Sequence, residues 1–224
     1  MFKKLLDNTN ESSLANKFRQ KRFKYFNELI HDLPYPINIL DVGGTENFWR
    51  QMGIAGLQPC KGNNDFKITI LNVNEPELIS KNSMKFIKGD AADLGIFADN
   101  SFDVVFSNSV IEHIPEPENR KKMALEIARV GKRFFVQTPN YYFPFEPHFL
   151  FPFFQFLPES FKLFLLKNFN MGWFKKCRDD NEAIELLKNN QLLKLNELKK
   201  YFPSGKIIRE KFLFLNKSFI AVKG

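Results

Sequence analysis

Five short apolar segments constrain the fold of this chain more than any other feature of its sequence. Each is four to eight residues long and is bounded by residues that favour turns, such as Gly, Pro, Asn and Asp. Continuous apolar runs of this length are typical of strands that are buried on both faces of a sheet. The predicted strands are Ile37–Val42, Phe66–Val73, Met84–Ile87, Phe102–Phe106 and Arg133–Gln137.

Helical patterns lie between and around these strands. Apolar residues recur there at spacings of three and four, with charged residues between them. The predicted helices are Leu14–Ile30, Glu118–Val130 and Asn181–Tyr201, the last of these read as one helix or two. Strands that alternate with helices predict a mostly parallel sheet with helices on both faces.

Two further strand-like runs close the chain, Lys206–Leu213 and Ser218–Val222, with a turn expected near Leu215–Lys217. So short a connection indicates an antiparallel hairpin. The predicted fold class is therefore α/β. It is a Rossmann-like, doubly wound sheet of seven strands, mostly parallel, with an antiparallel C-terminal hairpin strand.

Composition excludes several classes of protein. A hydrophobic content of 44% is too high for a disordered chain. Cys60 and Cys177 are far apart and have no His or Cys near them in sequence, so we expect neither a disulfide framework nor a metal site. The most apolar run, Phe149–Leu157, is too short to span a bilayer, and we expect no cleaved signal peptide at Met1–Leu6, because no long apolar stretch follows it. We expect a cytoplasmic protein, with association at a membrane surface left open.

The net charge of +8 is unevenly distributed. Residues 1–36 carry about +3, residues 37–154 about −2 and residues 155–224 about +7. The basic excess could attract an anionic substrate, nucleic acid or a membrane surface. A solvated, lysine-rich surface explains it equally well.

Residues suited to ligand binding follow the first two predicted strands. A parallel sheet binds ligands beyond the carboxyl ends of its strands. The first strand ends in Asp41–Glu46, where Gly43 and Gly44 allow a sharp turn and a close approach of backbone to ligand. The second ends at Asn72, whose amide oxygen can accept one hydrogen bond. Taken alone, each of these features is also typical of an ordinary turn.

The third and fourth strands end in similar residues. Asp90 and Ala91 follow the third strand, and Asp90 could accept a bond from an amino group or cap a helix. The fourth strand runs into Ser107 and Asn108, and Ile111–His113 comes shortly after it.

Together, the order and spacing of these motifs over residues 37–140 resemble those of class I S-adenosylmethionine-dependent methyltransferases, most closely the branch called methyltransferase type 11. The resemblance implies that S-adenosylmethionine is the cofactor and that methyl transfer is the activity. It places Asp41, Gly43, Gly44 and Thr45 around the methionine end of the cofactor and Asn72 at its ribose. It places Asp90 and Ala91 at the adenine, and Ser107 and Asn108 beside the cofactor.

The segment Tyr141–Phe154 is too long for an ordinary loop and too apolar to be fully hydrated. By the same resemblance it is a lid over the acceptor, while a dimer contact or a membrane contact remains open. The candidate substrate-binding residues are Pro139, Asn140, Tyr141, Glu146 and Phe149. His148 is the first candidate for a general base and His113 the second. Methyl transfer can also proceed on alignment alone, since the sulfonium is already activated.

We therefore predict a single methyltransferase domain over residues 1–224. It divides into an N-terminal helical segment (1–36), a cofactor-binding core (37–138), an aromatic lid insertion (139–180) and a C-terminal helix and hairpin (181–224). The expected acceptor is a small or lipid-like molecule. The alternatives are a non-catalytic or regulatory binding module and an RNA methyltransferase. Nucleic acid is the less favoured partner, because the aromatics cluster with Pro and Leu rather than with Arg and Lys.

A nicotinamide-dependent oxidoreductase is a further alternative on the same fold class. Its dinucleotide turn needs a third glycine where this chain has Phe48.

Overall fold

The computed structural model describes residues 13–53, 66–74 and 84–224. Cys60 and the first twelve residues lie outside this part of the chain. The helices are α1 Leu14–Ile30, α2 Glu46–Gln51, α3 Pro117–Val130, α4 Glu159–Asn168, α5 Asp180–Lys188 and α6 Leu195–Tyr201. The strands are β1 Ile37–Val42, β2 Phe66–Asn72, β3 Met84–Lys88, β4 Phe102–Asn108, β5 Gly131–Pro139, β6 Phe145–Glu146, β7 Phe151–Pro152, β8 Lys206–Phe212 and β9 Leu215–Lys223.

Seven strands form one sheet in the order β3-β2-β1-β4-β5-β9-β8. The first five are parallel to one another, whereas β9 is antiparallel to both β5 and β8. This confirms the predicted Rossmann-like sheet and its C-terminal hairpin. The strand order reverses between β1 and β4, which is where open α/β sheets form a ligand-binding crevice.

Alternation of side chains along the strands gives the sheet two hydrophobic cores. In β5, Phe134 and Val136 pack with α3 and α6 on one face, whereas Phe135 packs with α1 and α2 on the other. All three side chains are fully buried. The sheet therefore has helices on both faces, as a continuously apolar strand requires.

The turn of the C-terminal hairpin differs from its prediction. It consists of Leu213 and Phe214, so that Leu215, Asn216 and Lys217 belong to β9. The carbonyls of Asn216 and Lys217 accept hydrogen bonds from the side chain and backbone of Asn140, at 2.7 and 3.0 Å. These contacts keep the segment extended.

The aromatic insertion has a small hydrophobic core of its own. Phe149, Phe154, Leu165, Leu166 and Cys177 are buried against one another between the β6–β7 hairpin, α4 and the start of α5. Neither the short strands β6 and β7 nor α4 was predicted from sequence. No helix within the described residues has the length and hydropathy needed to cross a bilayer.

Candidate functional site

The nine residues that the sequence assigns to cofactor binding come together at one edge of the sheet. Each lies at, or within three residues of, the carboxyl end of β1, β2, β3 or β4. These four strands are parallel neighbours, so their carboxyl ends line the same crevice.

The turn after β1 depends on Gly43. Its φ is +78°, a conformation that residues with a side chain rarely adopt. A Cβ at this position would also lie 2.6 Å from the side chain of Val110, which follows β4. Gly44 is constrained differently, since a side chain there would collide with the carboxylate of Asp41. The turn therefore passes close to the side chains of both Val110 and Asp41.

Asp41 places a fully buried carboxylate beneath this turn. The indole Nε1 of Trp49 donates to its Oδ2 at 2.6 Å, and Oδ1 has no hydrogen-bond partner among the described residues. Burial raises the pKa of Asp41 to about 7, although the bond from Trp49 acts in the opposite direction. A buried acceptor without a donor is costly, so Oδ1 is suited to a donor supplied by a ligand.

Asn72 braces the glycine turn from the end of β2. Its Nδ2 donates to the carbonyls of Gly43 and Gly44, at 3.3 and 3.0 Å. Its Oδ1 accepts from the backbone N–H of Asn74 at 3.1 Å. A carboxylate could not donate to the two carbonyls, which gives a physical reason for an amide at this position.

Three more of the predicted cofactor residues also make hydrogen bonds within the protein. The Ser107 hydroxyl donates to the carbonyl of Val42 at 3.0 Å and joins the ends of β4 and β1. Thr45 caps α2 by accepting from Phe48, at 3.3 Å. Asp90 accepts from Ala92 N at 2.9 Å in the turn after β3. These bonds fix the shape of the crevice.

Sequence reasoning missed Arg22, which joins α1 to the same edge of the sheet. Its guanidinium donates to Asn108 Oδ1 at 2.6 Å, to Gln137 Oε1 at 3.0 Å and to Glu210 Oε2 at 2.9 Å. A signal was present, since Arg22 lies four residues from both Phe18 and Phe26 on the apolar side of the helix. A cation on that side is expected only with buried partners.

Glu210 is the centre of this buried ionic group. Burial acts to raise its pKa, but Arg22 and Lys217 outweigh burial and hold the pKa below the usual value. Lys217 Nζ lies 3.7 Å from Glu210, and burial, followed by repulsion from Arg22, lowers the pKa of Lys217 to about 8. Two cations therefore share one carboxylate next to the end of β4.

The two candidate histidines meet beyond the ends of β4 and β5. His113 belongs to a short 3-10 turn, and His148 lies between β6 and β7, with ring centroids 4.8 Å apart. His148 Nδ1 lies 2.7 Å from Glu146 Oε1, and His113 Nδ1 lies 3.0 Å from the carbonyl of Asn189. Burial acts to lower the pKa of His148, but the hydrogen bond to Glu146 and the negative charges of Glu146 and Glu112 together outweigh burial, so that the pKa is raised.

Glu112 completes this group and was not predicted as a site residue. Its side chain is fully buried, and it directly follows the apolar residues Val110 and Ile111 in sequence. Thr138 donates to its Oε2 at 3.0 Å, whereas Oε1 has no partner in the described part of the chain. One potential ligand atom from each of Glu112, His113 and His148 lies within 4.8 Å of the other two. Cysteine spacing predicted no metal site, and it could not detect a cluster of this composition.

A cavity of about 540 Å³ lies beside the histidines, between the insertion and the helices α5 and α6. Three of the five predicted substrate residues, Tyr141, Glu146 and Phe149, line it. Asn140 is instead buried against the C-terminal hairpin, and Pro139 ends β5. Lys194 lies over the Tyr141 ring at 5.1 Å and adds a positive charge to the wall.

Comparison with known proteins agrees with this geometry. Residues 63–133 match the methyltransferase domain family. The CurJ carbon methyltransferase has the same fold with a TM-score of 0.55 and 13% identity, over 94% of this chain and 55% of CurJ. A chain from the complex of the Haloferax volcanii Trm112 methyltransferase activator with a methyltransferase also has this fold, with a TM-score of 0.54 and 12% identity. The match covers 99% of this chain and 96% of that one. A search of curated proteins found no match.

This chain thus spans only about half of the CurJ chain but nearly all of the haloarchaeal one. The solved structures share its fold, and the family match covers the segment that contains β2, β3, β4 and α3. The family match over residues 63–133 and the shared fold agree with the motifs at the strand ends, which resemble those of class I S-adenosylmethionine-dependent methyltransferases.

Proposed function

We propose that this chain is a class I S-adenosylmethionine-dependent methyltransferase that acts on a small or lipid-like acceptor in the cavity under the aromatic insertion. One observation carries the proposal: a continuous series of contacts joins the cofactor turn to that cavity. Val110 lies against Gly43, Glu112 and His113 follow it in the chain, and His148 connects them to Glu146 in the cavity wall. The acceptor and the cofactor would then meet at the end of β4.

The crevice fits the proposed cofactor in two respects. Gly43 leaves room for a ligand to approach the backbone, and Asp41 Oδ1 is a buried acceptor in need of a donor. We assign the methionine end of the cofactor to Asp41–Thr45, the ribose to Asn72, and the adenine to Asp90 and Ala91. Ser107 and Asn108 would lie beside it. When bound, the cofactor supplies a methyl group on a positively charged sulfur that is already activated for transfer.

The cavity suits an acceptor with an apolar body and a polar end. Tyr141, Phe149 and Leu192 provide apolar surface, and both basic and acidic side chains are interspersed with them. Burial lowers the pKa of Lys162 in this wall, which places a cation in a partly dehydrated position. Such a combination of apolar walls and a few polar groups is typical of small-molecule sites.

His148 and His113 are the residues that we expect to assist loss of the acceptor's proton. The Nδ1 atom of each ring is held by a neighbour, so that Nε2 remains for the acceptor. The insertion would exclude water from the reaction while it holds the acceptor in line with the methyl group.

Binding and transfer assays test the proposal. The full chain should bind S-adenosylmethionine and its demethylated product with a stoichiometry of one in calorimetry. Absence of both heat and thermal stabilisation in a folded sample would contradict it. Label from methyl-labelled cofactor should enter an organic or small-molecule extract. Label found in RNA would favour the RNA methyltransferase, and binding without transfer to any extract would favour a binding module.

A Tyr141→Ala variant tests the acceptor cavity. It should raise the KM for the acceptor severalfold and leave the dissociation constant of the cofactor unchanged, since Tyr141 lines the cavity away from the glycine turn. Phe164→Ala is the matched control, because Phe164 is an exposed aromatic residue of the same insertion outside that wall. Equal effects of the two variants would place the acceptor elsewhere.

A further inference from the structure

We propose that Glu112, His113 and His148 bind one divalent transition-metal ion. The three residues come from two separate parts of the chain, the turn after β4 and the β6–β7 hairpin, and they converge to within 4.8 Å. The proposed role of the ion in acceptor binding rests on the function proposed above. Ion binding itself can be measured without turnover.

The unsatisfied oxygen of Glu112 points to a positively charged ligand. The side chain is fully buried, and Thr138 donates to Oε2 alone. Oε1 has no partner within the described residues. A buried carboxylate normally has a partner for each oxygen, because a missing partner costs the full desolvation of the group. A cation between Glu112 and the two imidazoles would supply the missing interaction.

Both histidines are oriented as metal ligands usually are. The carboxylate of Glu146 holds Nδ1 of His148, and the backbone carbonyl of Asn189 holds Nδ1 of His113. Each contact favours the tautomer with its proton on Nδ1, which leaves the lone pair of Nε2 available. A metal-binding histidine characteristically donates its other ring N–H to a carboxylate or a backbone carbonyl in this way.

The ligand atoms determine the kind of ion. Two imidazole nitrogens with one carboxylate oxygen suit Zn²⁺ and neighbouring transition metals, whereas Mg²⁺ and Ca²⁺ prefer oxygen ligands throughout. Three protein ligands also leave a coordination position open, as in catalytic rather than structural zinc sites. Glu146 and Gln191, which contact His148 and Glu112 respectively, both line the acceptor cavity.

An ion here would act on an acceptor that carries a hydroxyl group. It would bind the hydroxyl oxygen and lower its pKa, so that the O–H proton leaves to water. A lone pair of that oxygen then forms the bond to the methyl carbon as the carbon–sulfur bond breaks, and the electrons of that bond remain on the sulfur as a neutral thioether. Charge and atoms balance without any oxidant or reductant.

Metal titration of the full chain tests the inference. Protein stripped with a chelator and then titrated with Zn²⁺ in calorimetry, or with Co²⁺ by visible absorption, should bind one ion per chain. His148→Asn, His113→Asn and Glu112→Gln should each weaken binding by more than tenfold. Glu146→Gln should weaken it by about 10- to 100-fold through the orientation of His148. Mg²⁺ should compete poorly.

His31→Asn is the matched control, because His31 is the remaining histidine of the chain and lies exposed near the end of α1. It should bind the ion as the unmodified chain does. If circular dichroism shows that Glu112→Gln does not fold, His113→Asn still tests the site, because His113 is exposed and its replacement should not disturb folding. Undiminished binding in the His148 and His113 variants, or its loss in a Cys60→Ser variant, would overturn the inference. So would the absence of saturable binding.

Activity assays separate the inference from the proposed function. One bound ion with no methyl transfer to any acceptor would leave the metal site standing and remove the function. Transfer that is insensitive to chelation and to added Zn²⁺ would overturn the role of the ion and return His148 to the role of general base.

Discussion

Arg22 connects elements that are far apart in the chain through one buried guanidinium. Replacing it by Met would leave the Glu210 carboxylate buried without its closest cation, since Lys217 is 3.7 Å away. Removal of one partner from a buried ion pair typically costs about 3–5 kcal/mol. We expect Arg22→Met to lower the free energy of unfolding by about that amount, measured by urea denaturation at neutral pH.

The double variant Arg22→Met with Glu210→Leu is the corresponding control. It removes both charges, so that no uncompensated carboxylate remains, and Lys217, whose pKa is already lowered to about 8, can lose its proton. It should therefore be more stable than Arg22→Met alone. Strict additivity of the two single changes would show that the pair is not coupled and that Arg22 acts only through Asn108 and Gln137.

Asp41 provides a pH-dependent prediction. Its pKa is raised by burial from 3.8 to about 7, so between these values the folded state holds a proton that the unfolded state has lost. Stability rises with pH only where the unfolded state binds more protons, and here the reverse applies. The Asp41 contribution to the free energy of unfolding should fall by about 4 kcal/mol as pH rises from about 4 to about 7, and then stay constant.

An Asp41→Asn variant isolates this effect. The amide oxygen can still accept from Trp49, but the side chain no longer ionises. The difference in unfolding free energy between the variant and the unmodified chain should grow in favour of the variant from about pH 4 to about pH 7. A difference that is independent of pH would show that Asp41 titrates near its usual value.

The turn between β1 and α2 carries a prediction at the level of the element. Gly43→Ala forces a side chain into the left-handed conformation, at a cost of about 1–2 kcal/mol, and against Val110, at a further cost of about 1–3 kcal/mol. We expect the variant to be less stable by the sum and to bind S-adenosylmethionine at least tenfold more weakly. Thermal denaturation and calorimetry measure the two effects.

Adding Val110→Ala to Gly43→Ala distinguishes the two causes. It should recover the part of the stability that is due to the contact, because the 2.6 Å approach is to the Val110 side chain. It should not recover the part of the stability that is lost because alanine is strained at the positive φ of position 43. No recovery at all would mean that Val110 does not restrict the turn, and Val110→Ala alone supplies the baseline.

The insertion is predicted to depend on its own small core. Phe154 is 2% exposed, and its ring lies 4.3 Å from that of Phe149. Phe154→Ala should cost about 3–5 kcal/mol in the free energy of opening of this unit, read from amide hydrogen exchange in α4. Phe164→Ala is the control, since Phe164 is 51% exposed and should change exchange little. Equal protection in both variants would refute the idea of a separate core.

The sheet could be predicted from sequence because each strand is a local apolar run. Ile37–Val42 was predicted without error, and β5 extends its predicted core by two residues at each end. The insertion could not be predicted in detail, since its burial comes from contacts among residues distant in sequence, such as Phe149 with Phe174. The hairpin turn was misplaced because Asn216 and Lys217 are held by Asn140, far away in the chain.

The candidate cofactor residues could be grouped from sequence because the carboxyl ends of parallel strands meet at one edge whatever the side chains are. Arg22 and Glu210 were missed, since their pairing spans 188 residues and only the folded sheet brings them together. The histidines were singled out as residue types. Their convergence with Glu112 depends on how the insertion folds back over β4, which no local pattern records.

At the scale of the whole molecule, exposed aromatic side chains lie within the basic segment 155–224, which carries about +7. Phe161, Phe164 and Phe169 on the insertion are 45–52% exposed. Apolar surface next to basic residues favours adsorption to anionic membranes. We expect the protein to sediment with vesicles that contain anionic lipid, less so as salt increases, and Phe161→Ser with Phe164→Ser to reduce this at least fivefold.

Light scattering of the same double variant distinguishes a membrane contact from a subunit interface. The variant should have the mass and thermal midpoint of the unmodified chain, since both side chains are partly solvated. If the unmodified chain is instead a dimer that the double substitution dissociates, these rings form a subunit interface and the vesicle prediction is wrong.

Because of its position in the sheet, β5 cannot be paired on both sides until most of the chain has been synthesised. One side of β5 pairs with β4, which precedes it, but the other side pairs with residues 218–223, which leave the ribosome only after the insertion, α5, α6 and β8. Until then the nascent chain presents an open strand edge, which is a template for pairing with other chains. The interval between the synthesis of β5 and the emergence of β9 should therefore be the one in which this protein most needs a chaperone.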